Sequence, residues 1–239
     1  DIARRRLFLN SAAALKRASP RALSEKERLA FYLNIYHTMI MHAFLVLGPP
    51  GSSLKWISYF NNIAYEVGDE IFSLTELEHC IIRGNMAYPS QLISRFVLPK
   101  SRFRFALVRA DFRINFALNC GSMSNPRSVP IYRPERLDEQ LDLASRLYLA
   151  NTTVVQKSLR DVTVQLPKVC QWFLDDFGDQ QALLSKIEVF FKDSEREKLI
   201  GCWSTRTREF DMSGISIKYK NYSFQCHPLT LLPDGEPSS

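Results

Sequence analysis

The fold is decided by residues 24–47, SEKERLAFYLNIYHTMIMHAFLVL. Ser24 is followed three positions later by Glu27, the capping-box pattern in which a hydroxyl and a carboxylate satisfy the first free amide groups of a helix. Apolar residues then cover nearly the whole helix circumference, and the sequence GPPG at 48–51 ends it. A helix that is apolar on all sides belongs in a protein interior. We therefore expect a central buried helix with the other elements packed around it.

Four polar side chains interrupt this apolar helix: Asn34, His37, Thr38 and His42. At about 100° per residue they share one arc of the surface, about 140° wide. A buried polar group without a partner costs about 1–3 kcal/mol, so each needs a bond from a neighbouring element. His42 is typical of a satisfied core histidine. For Asn34 two roles stay open, bonding to the backbone of a loop or orienting a catalytic side chain.

The segments after this helix alternate between short helices and short strands. Residues 63–72 indicate a hairpin that turns at Gly68, and Ser73 to Glu76 repeats the capping box ahead of a helix. The apolar runs RFALV (104–108) and INFAL (114–118) predict two strands, and Pro134 is expected at the first position of another helix.

The C-terminal half continues the mixture of helix and strand. Strands are expected at 162–166, 215–219 and 222–226, and helices at 167–177 and 180–192. Helices outnumber strands without β-α-β alternation, which predicts an α+β fold: a central buried helix and surrounding helices on a small, mainly antiparallel sheet. We expect one domain over 1–228, with a C-terminal hairpin extension at 200–228 and a polar tail at 229–239.

Composition excludes several classes of protein. The chain has 239 residues, 46% of them hydrophobic, and a net charge of +6. No continuous basic stripe with interleaved aromatic residues is present, so nucleic-acid binding is not expected. Glycine-rich phosphate-binding motifs are missing, and we expect no cofactor. The longest apolar run, 39–46, is too short to cross a bilayer, so no transmembrane segment is predicted.

The five cysteines indicate the redox state and the cellular location of the protein. They are widely spaced, odd in number and without a Cys-x-x-Cys pair, which argues against a disulfide framework and against a cysteine-based metal site. Reduced thiols indicate a cytoplasmic location. Because the sequence opens within a helical pattern, we expect it to come from a longer protein.

We expect the reactive residue of the protein in NFALNCGSMSNP at 115–126, although a lone cysteine such as Cys120 can also be a small buried core residue. Cys120 stands where a predicted strand gives way to small polar residues. A cysteine nucleophile needs a base to form its thiolate and donors for the oxyanion. Gly121 and Ser122 offer backbone N–H groups, with Asn119 beside them, and His79 is the best base.

Two residues are candidates to orient His79. Asn34 could do so, as an asparagine does in papain-like sites, in which case the order Asn, His, Cys is permuted. Glu78 competes for that role, although adjacent helix residues point about 100° apart. A zinc site from His37, His42, His79 and Cys120 is disfavoured because the first two are five residues apart.

Four blocks of the sequence resemble a known family. They are AFYLNIYHTMIMHAFL (30–45), FSLTELEHCIIRGN (72–85), FALNCGSMSNPRSVPIY (116–132) and QLPKVCQWFLDDF (165–177). Together they resemble the domain of unknown function 547 family, its eukaryotic branch most closely. The resemblance implies shared polar positions at Asn34, at Glu78 with His79, and at Asn119 to Gly121.

The sequence departs from the family pattern at three positions. His37 stands where relatives usually have asparagine, Asn115 where many bacterial members have histidine, and Asn125 where bacterial members often have a second cysteine. A two-cysteine redox pair is therefore not expected here.

Two classes of function follow. The first is a thiol-dependent amide hydrolase, a cysteine peptidase or deconjugase acting on protein substrates, with Cys120 attacking and His79 moving the proton. The second is a non-catalytic interaction or scaffolding domain at the end of a larger signalling protein. In either case the expected partner is a protein or peptide, and the positive net charge favours an acidic one.

Overall fold

The computed structural model describes residues 2–90, 98, 102–159, 161–204, 207 and 209–232. Its centre is helix α2 (Glu25–Leu47), nine residues of which are buried. Both bonds of the predicted capping box are present: the Ser24 hydroxyl accepts the Glu27 N–H, and the Glu27 carboxylate accepts the Ser24 N–H. Gly48 ends the helix with a φ of 73°. The predicted central buried helix is confirmed.

Nine further helices are described, one before α2 in the sequence and eight after it. They are α1 (Ile2–Ala14), α3 (Ser53–Asn62), α4 (Leu74–Glu76), α5 (Ile114–Ala117), α6 (Leu137–Thr152), α7 (Lys168–Trp172), α8 (Leu174–Phe177), α9 (Gln180–Ile187) and α10 (Asp193–Glu197). Helix α4 starts with the second predicted capping box and continues as a π-helix over Leu77–Ile82.

The strands form four small sheets among the described residues. They are β1 (Ala64–Val67), β2 (Glu70–Ser73), β3 (Ser128–Pro130), β4 (Val154–Lys157), β5 (Val162–Leu166), β6 (Trp203–Ser204), β7 (Glu209–Phe210), β8 (Ile215–Tyr219) and β9 (Thr230–Leu232). The pairs β1–β2, β4–β5 and β6–β7 are antiparallel, whereas β3–β9 and β5–β8 are parallel. The α+β class is confirmed, with strands dispersed over several sheets.

Two apolar clusters form the core, and α5 lies where they meet. Ile114 and Ala117 belong to the cluster around α2, and Phe116 belongs to the cluster around β4 and β5. Residues in successive positions of a helix point about 100° apart, so one short turn can serve both cores. We call this boundary between the two clusters the seam. The residues that follow α5, including Cys120, leave the helix at the seam.

Two strand predictions were wrong at this seam. Residues 104–108 form no strand, and 114–118 form the turn of helix α5. The Asp111 side chain accepts the Arg113 N–H and its carbonyl accepts the Ile114 N–H, which starts a helical turn in place of a strand. Cys120 therefore follows a helical turn.

The predicted C-terminal hairpin was also wrong. Strand β8 pairs in parallel with β5, and residues 222–226 form no strand. They run instead beside the Cys120 loop, through an isolated antiparallel bridge between Ser122 and Cys226. Within the predicted polar tail, Thr230–Leu232 forms β9 on β3, and residues 233–239 lie outside the described residues.

By length and composition, α2 is also the one helix in the described part of the chain that could cross a membrane. Half of its most apolar 18-residue stretch is buried against the rest of the protein. That burial is the property of a core helix, so no clear transmembrane segment is seen in these residues.

Candidate functional site

One cavity of about 460 Å³ brings together three of the residues predicted to form the site. Cys120, His79 and Glu78 all line it, together with Asn115 and Asn125. Cys120 comes from the loop after α5, and His79 and Glu78 come from the π-helix. Its size lies within the range of small-molecule sites in proteins. The fold therefore brings a thiol and an imidazole from distant segments to one cavity.

The backbone turns sharply at Gly121, directly after the thiol. Its φ of +78° lies in the left-handed region, and a Cβ atom there would come within 2.8 Å of the Phe44 ring. Only glycine accommodates both the dihedral angle and the close approach without strain. The predicted small turn at this position is confirmed.

Asn119 holds this turn by bonds at both ends of its amide. Its Oδ1 accepts the Gly121 N–H at 2.9 Å, and its Nδ2 donates to the Pro126 carbonyl at 2.6 Å. The predicted role of Gly121 as an oxyanion donor was therefore wrong, because its N–H is already bonded. Asn119 thus shapes the loop, since its amide oxygen and its amide nitrogen both bond to loop backbone.

The Cys120 thiol has three polar partners among the described residues: Tyr222, Asn125 and the Ser122 N–H. Its Sγ lies 3.3 Å from the Tyr222 hydroxyl and 3.9 Å from Asn125 Oδ1, and Tyr222 donates to that same Oδ1 at 2.9 Å. Burial raises the pKa of the Cys120 thiol to about 11, although bonds from Tyr222 and from the Ser122 N–H act in the opposite direction. At neutral pH the thiol is protonated.

The Ser122 side chain is structural. It is fully buried, donates to the Ser223 carbonyl at 2.6 Å and accepts the Ser124 N–H at 3.0 Å. Its backbone N–H is the group directed at the Cys120 sulfur. Of the two donors predicted from the sequence, this one is placed next to the thiol.

His79 lies in the π-helix and faces the same cavity. Its Nε2 is 3.5 Å from Glu78 Oε1, and within the described ranges no hydrogen bond joins it to Cys120. Burial lowers the pKa of His79, and the Glu78 carboxylate partly opposes that effect. The imidazole is thus neutral at physiological pH, the form that can accept a proton.

Glu78, and not Asn34, is the neighbour of His79. A π-helix has more residues per turn than an α-helix, and here the two adjacent side chains approach each other. Glu78 Oε2 also accepts a hydrogen bond from the Tyr36 hydroxyl at 2.8 Å, which fixes the carboxylate. No sequence signal for a π-helix was recognised in this segment.

Asn34 does not line the cavity and bonds instead to the backbone of the loop at Tyr132. Its Nδ2 donates to the Tyr132 carbonyl and its Oδ1 accepts the Tyr132 N–H, both at 2.8 Å. Because both ends of the amide are used, the predicted orientation of His79 by Asn34 was wrong. The alternative role, bonding to loop backbone, is confirmed.

The two histidines of α2 are also occupied by structural contacts. His37 Nε2 lies 3.1 Å from the Ala117 carbonyl and 3.3 Å from the Asn119 N–H, and His42 Nδ1 lies 2.7 Å from the Tyr65 hydroxyl. Within the described ranges, no group of three or more His, Cys, Asp or Glu side chains could hold a metal ion.

A buried charged cluster beside the cavity was missed by the sequence analysis. Arg83 bonds to Asn115 and, at 2.7 Å, to Asp176; Asn115 donates to the same carboxylate at 3.0 Å. The guanidinium also lies over the Phe173 ring, 3.8 Å from its centre. Asn115 was noted only as a departure from bacterial relatives, and nothing in the sequence linked it to residues 32 positions before and 61 after it.

These features define an α+β protein with a cysteine and a histidine in one partly enclosed cavity. Residues 20–149 match the family described as "Protein of unknown function, DUF547". That match covers more than half of the 239 residues, so the chain belongs to the DUF547 family, as the resemblance implied. No curated protein and no solved structure matches the chain.

Proposed function

We propose that this domain is a thiol-dependent amide hydrolase whose active site is the cavity containing Cys120 and His79. The observation that carries the proposal is their convergence: side chains 41 positions apart line one cavity, the imidazole next to a carboxylate. A nucleophile, a base and a group that orients the base are the parts that such a reaction requires.

Each side chain has one role in the proposed reaction. Cys120 Sγ bonds to the amide carbon while its proton passes to His79, and His79 returns that proton to the nitrogen as the C–N bond breaks. Water, deprotonated by the same imidazole, then cleaves the thioester and regenerates the thiol. The Ser122 N–H next to the sulfur and the Glu78 carboxylate next to the imidazole support the charges that develop.

The protonated state of the thiol shapes this mechanism. With the pKa of Cys120 raised to about 11 and that of His79 lowered, the resting pair is neutral. Proton transfer must then accompany attack, which requires His79 to approach the thiol when substrate binds. The five cysteines are free, a state that the proposed cytoplasmic location maintains.

The test is site-resolved alkylation with iodoacetamide, read by mass spectrometry. Cys226 is the internal reference, because it is more exposed than Cys120 and its pKa is raised less strongly by burial. Without assistance, Cys120 should react far more slowly than Cys226. The proposal expects Cys120 to react faster than Cys226, and His79→Gln to remove that advantage while leaving Cys226 unchanged. Slow labelling of Cys120 in both proteins contradicts it.

The second candidate is the non-catalytic interaction domain, and one observation favours it. Among the described residues, the thiol bonds to Tyr222, Asn125 and the Ser122 N–H, none of which is a base. In that role the cavity would receive a peptide side chain from a partner protein and Cys120 would act as a buried polar contact. Cys120→Ser would then leave partner binding intact, whereas a hydrolase would lose all turnover.

A further inference from the structure

The wall of the cavity on the Cys120 side is a continuous row of aromatic rings. Trp172 and Tyr222 have ring centres 4.9 Å apart, Tyr222 and Phe224 5.1 Å, Phe224 and Trp56 6.5 Å, and Trp56 and Phe60 5.2 Å. All five residues line the cavity. Ring faces carry partial negative charge, so such a wall attracts cations as well as apolar groups.

The charged groups around the cavity favour a cation over a neutral apolar ligand. Glu78 is the one carboxylate among the described residues that line it, and no lysine or arginine is found in that lining. The nearby Arg83 is already paired with Asp176 at 2.7 Å, with side chains 1% and 3% exposed. Arg83 interacts electrostatically with Glu78 but donates its hydrogen bonds elsewhere, mainly to Asp176 and Asn115. Within the described ranges, no lysine or arginine bonds directly to the Glu78 carboxylate.

Glu78 also keeps the capacity to bind a ligand. Its Oε2 accepts one hydrogen bond, from Tyr36, and its Oε1 lies 3.5 Å from His79. Each carboxylate oxygen has about two acceptor sites, so Glu78, which lines the cavity, can accept further hydrogen bonds. A carboxylate held in place next to aromatic faces is the arrangement that recognises alkylammonium groups.

We propose that the cavity binds a ligand carrying a compact alkylammonium group, held between the Glu78 carboxylate and the aromatic wall formed by Trp172, Tyr222, Phe224, Trp56 and Phe60. As a statement about substrate, this rests on the proposed hydrolase and assigns it amides that bear such a cation close to the scissile bond. As a statement about binding, it does not depend on any reaction of Cys120.

Two probes of nearly equal shape test the proposal by titration of tryptophan fluorescence. Choline carries a quaternary ammonium group, and 3,3-dimethylbutan-1-ol replaces it with a neutral tert-butyl group. Two of the three tryptophans, Trp56 and Trp172, line the cavity and report occupancy. Sodium chloride at matched concentration controls for ionic strength, and Glu78→Gln keeps the shape of the side chain while removing its charge.

The expected result is saturable quenching by choline with an affinity at least about tenfold above that of the neutral alcohol, and loss of this preference in Glu78→Gln. Equal affinities, no saturable response to choline, or an unchanged preference in the variant would each overturn the proposal. If the variant does not fold, the comparison of choline with the neutral alcohol on the wild-type protein still tests whether the cavity prefers a cation. Because alkylation of Cys120 is measured separately, selective choline binding without enhanced alkylation refutes the hydrolase alone.

Discussion

The Sγ atom of Cys120 lies 3.3 Å from the hydroxyl oxygen of Tyr222, a residue 102 positions further along the chain. Tyr222 lies outside residues 20–149, the part that matches the family. The environment of the thiol is thus completed by a segment beyond the family-matched region. Changes in that segment are expected to alter the chemistry of the cavity.

Tyr222→Phe removes the hydroxyl bonded to Cys120 and Asn125. Because that bond lowers the pKa of the thiol, the variant should have a Cys120 pKa above the wild-type value and slower alkylation at a given pH. The free energy of unfolding should fall by about 1 kcal/mol. Tyr59→Phe is the matched control, since the Tyr59 hydroxyl donates to the Gly48 carbonyl away from the thiol. Equal Cys120 pKa values in the two variants would refute the role of Tyr222.

Gly121→Ala should destabilise the protein by about 2–4 kcal/mol. The new methyl group meets the Phe44 ring at 2.8 Å, and the backbone keeps a positive φ. Gly51→Ala is the control, because a Cβ there meets nothing within 4 Å and its φ is not in the left-handed region. Chemical denaturation of both variants gives the difference, and similar losses would contradict the tight turn at Cys120.

Asp176→Asn leaves the Arg83 guanidinium buried without its carboxylate partner. Removing one member of a buried ion pair costs about 3–5 kcal/mol. Glu66→Gln makes the same kind of change at the exposed Lys16–Glu66 pair, whose side chains are 59% and 39% exposed, and should cost less than about 1 kcal/mol. Denaturation midpoints that shift equally would show that the Arg83 cluster does not stabilise the fold.

Stability should fall on acidification below about pH 6.5, partly because of His37. Burial lowers the pKa of His37 to about 4 in the folded protein, whereas the unfolded chain titrates near 6.5. The unfolded state therefore binds the proton first, and up to about 3 kcal/mol is lost between these two pH values. His37→Asn removes the titrating imidazole and should flatten this part of the pH profile of unfolding. An unchanged slope would contradict the burial of a neutral His37.

The sequence predicted those parts of the fold that depend on local chemistry. Both capping boxes and the hairpin turning at Gly68 depend on residues close together in the chain, and all are present. The strand predicted at 114–118 was wrong because the apolar residues of this helical turn pack into two different clusters. A short apolar run of that kind has the same sequence pattern as a buried strand.

The candidate site was only partly predictable for a similar reason. Cys120, His79 and Glu78 were identified by their residue types and do line one cavity. The contacts of Asn34 with Tyr132, and of Tyr222 with Cys120, depend on how distant segments pack. No local pattern encodes such pairs, so the sequence left two roles open for Asn34 and did not identify Tyr222.

The central claim, that His79 acts as the base for Cys120, is tested most directly by the pH dependence of Cys120 alkylation. With a neutral His79 removing the proton, the rate should be nearly constant from about pH 7 to 9, well below the thiol pKa of about 11. His79→Gln should restore a steep dependence. A wild-type rate that rises about tenfold per pH unit throughout this range would contradict the claim, because only the free thiolate would then be reacting.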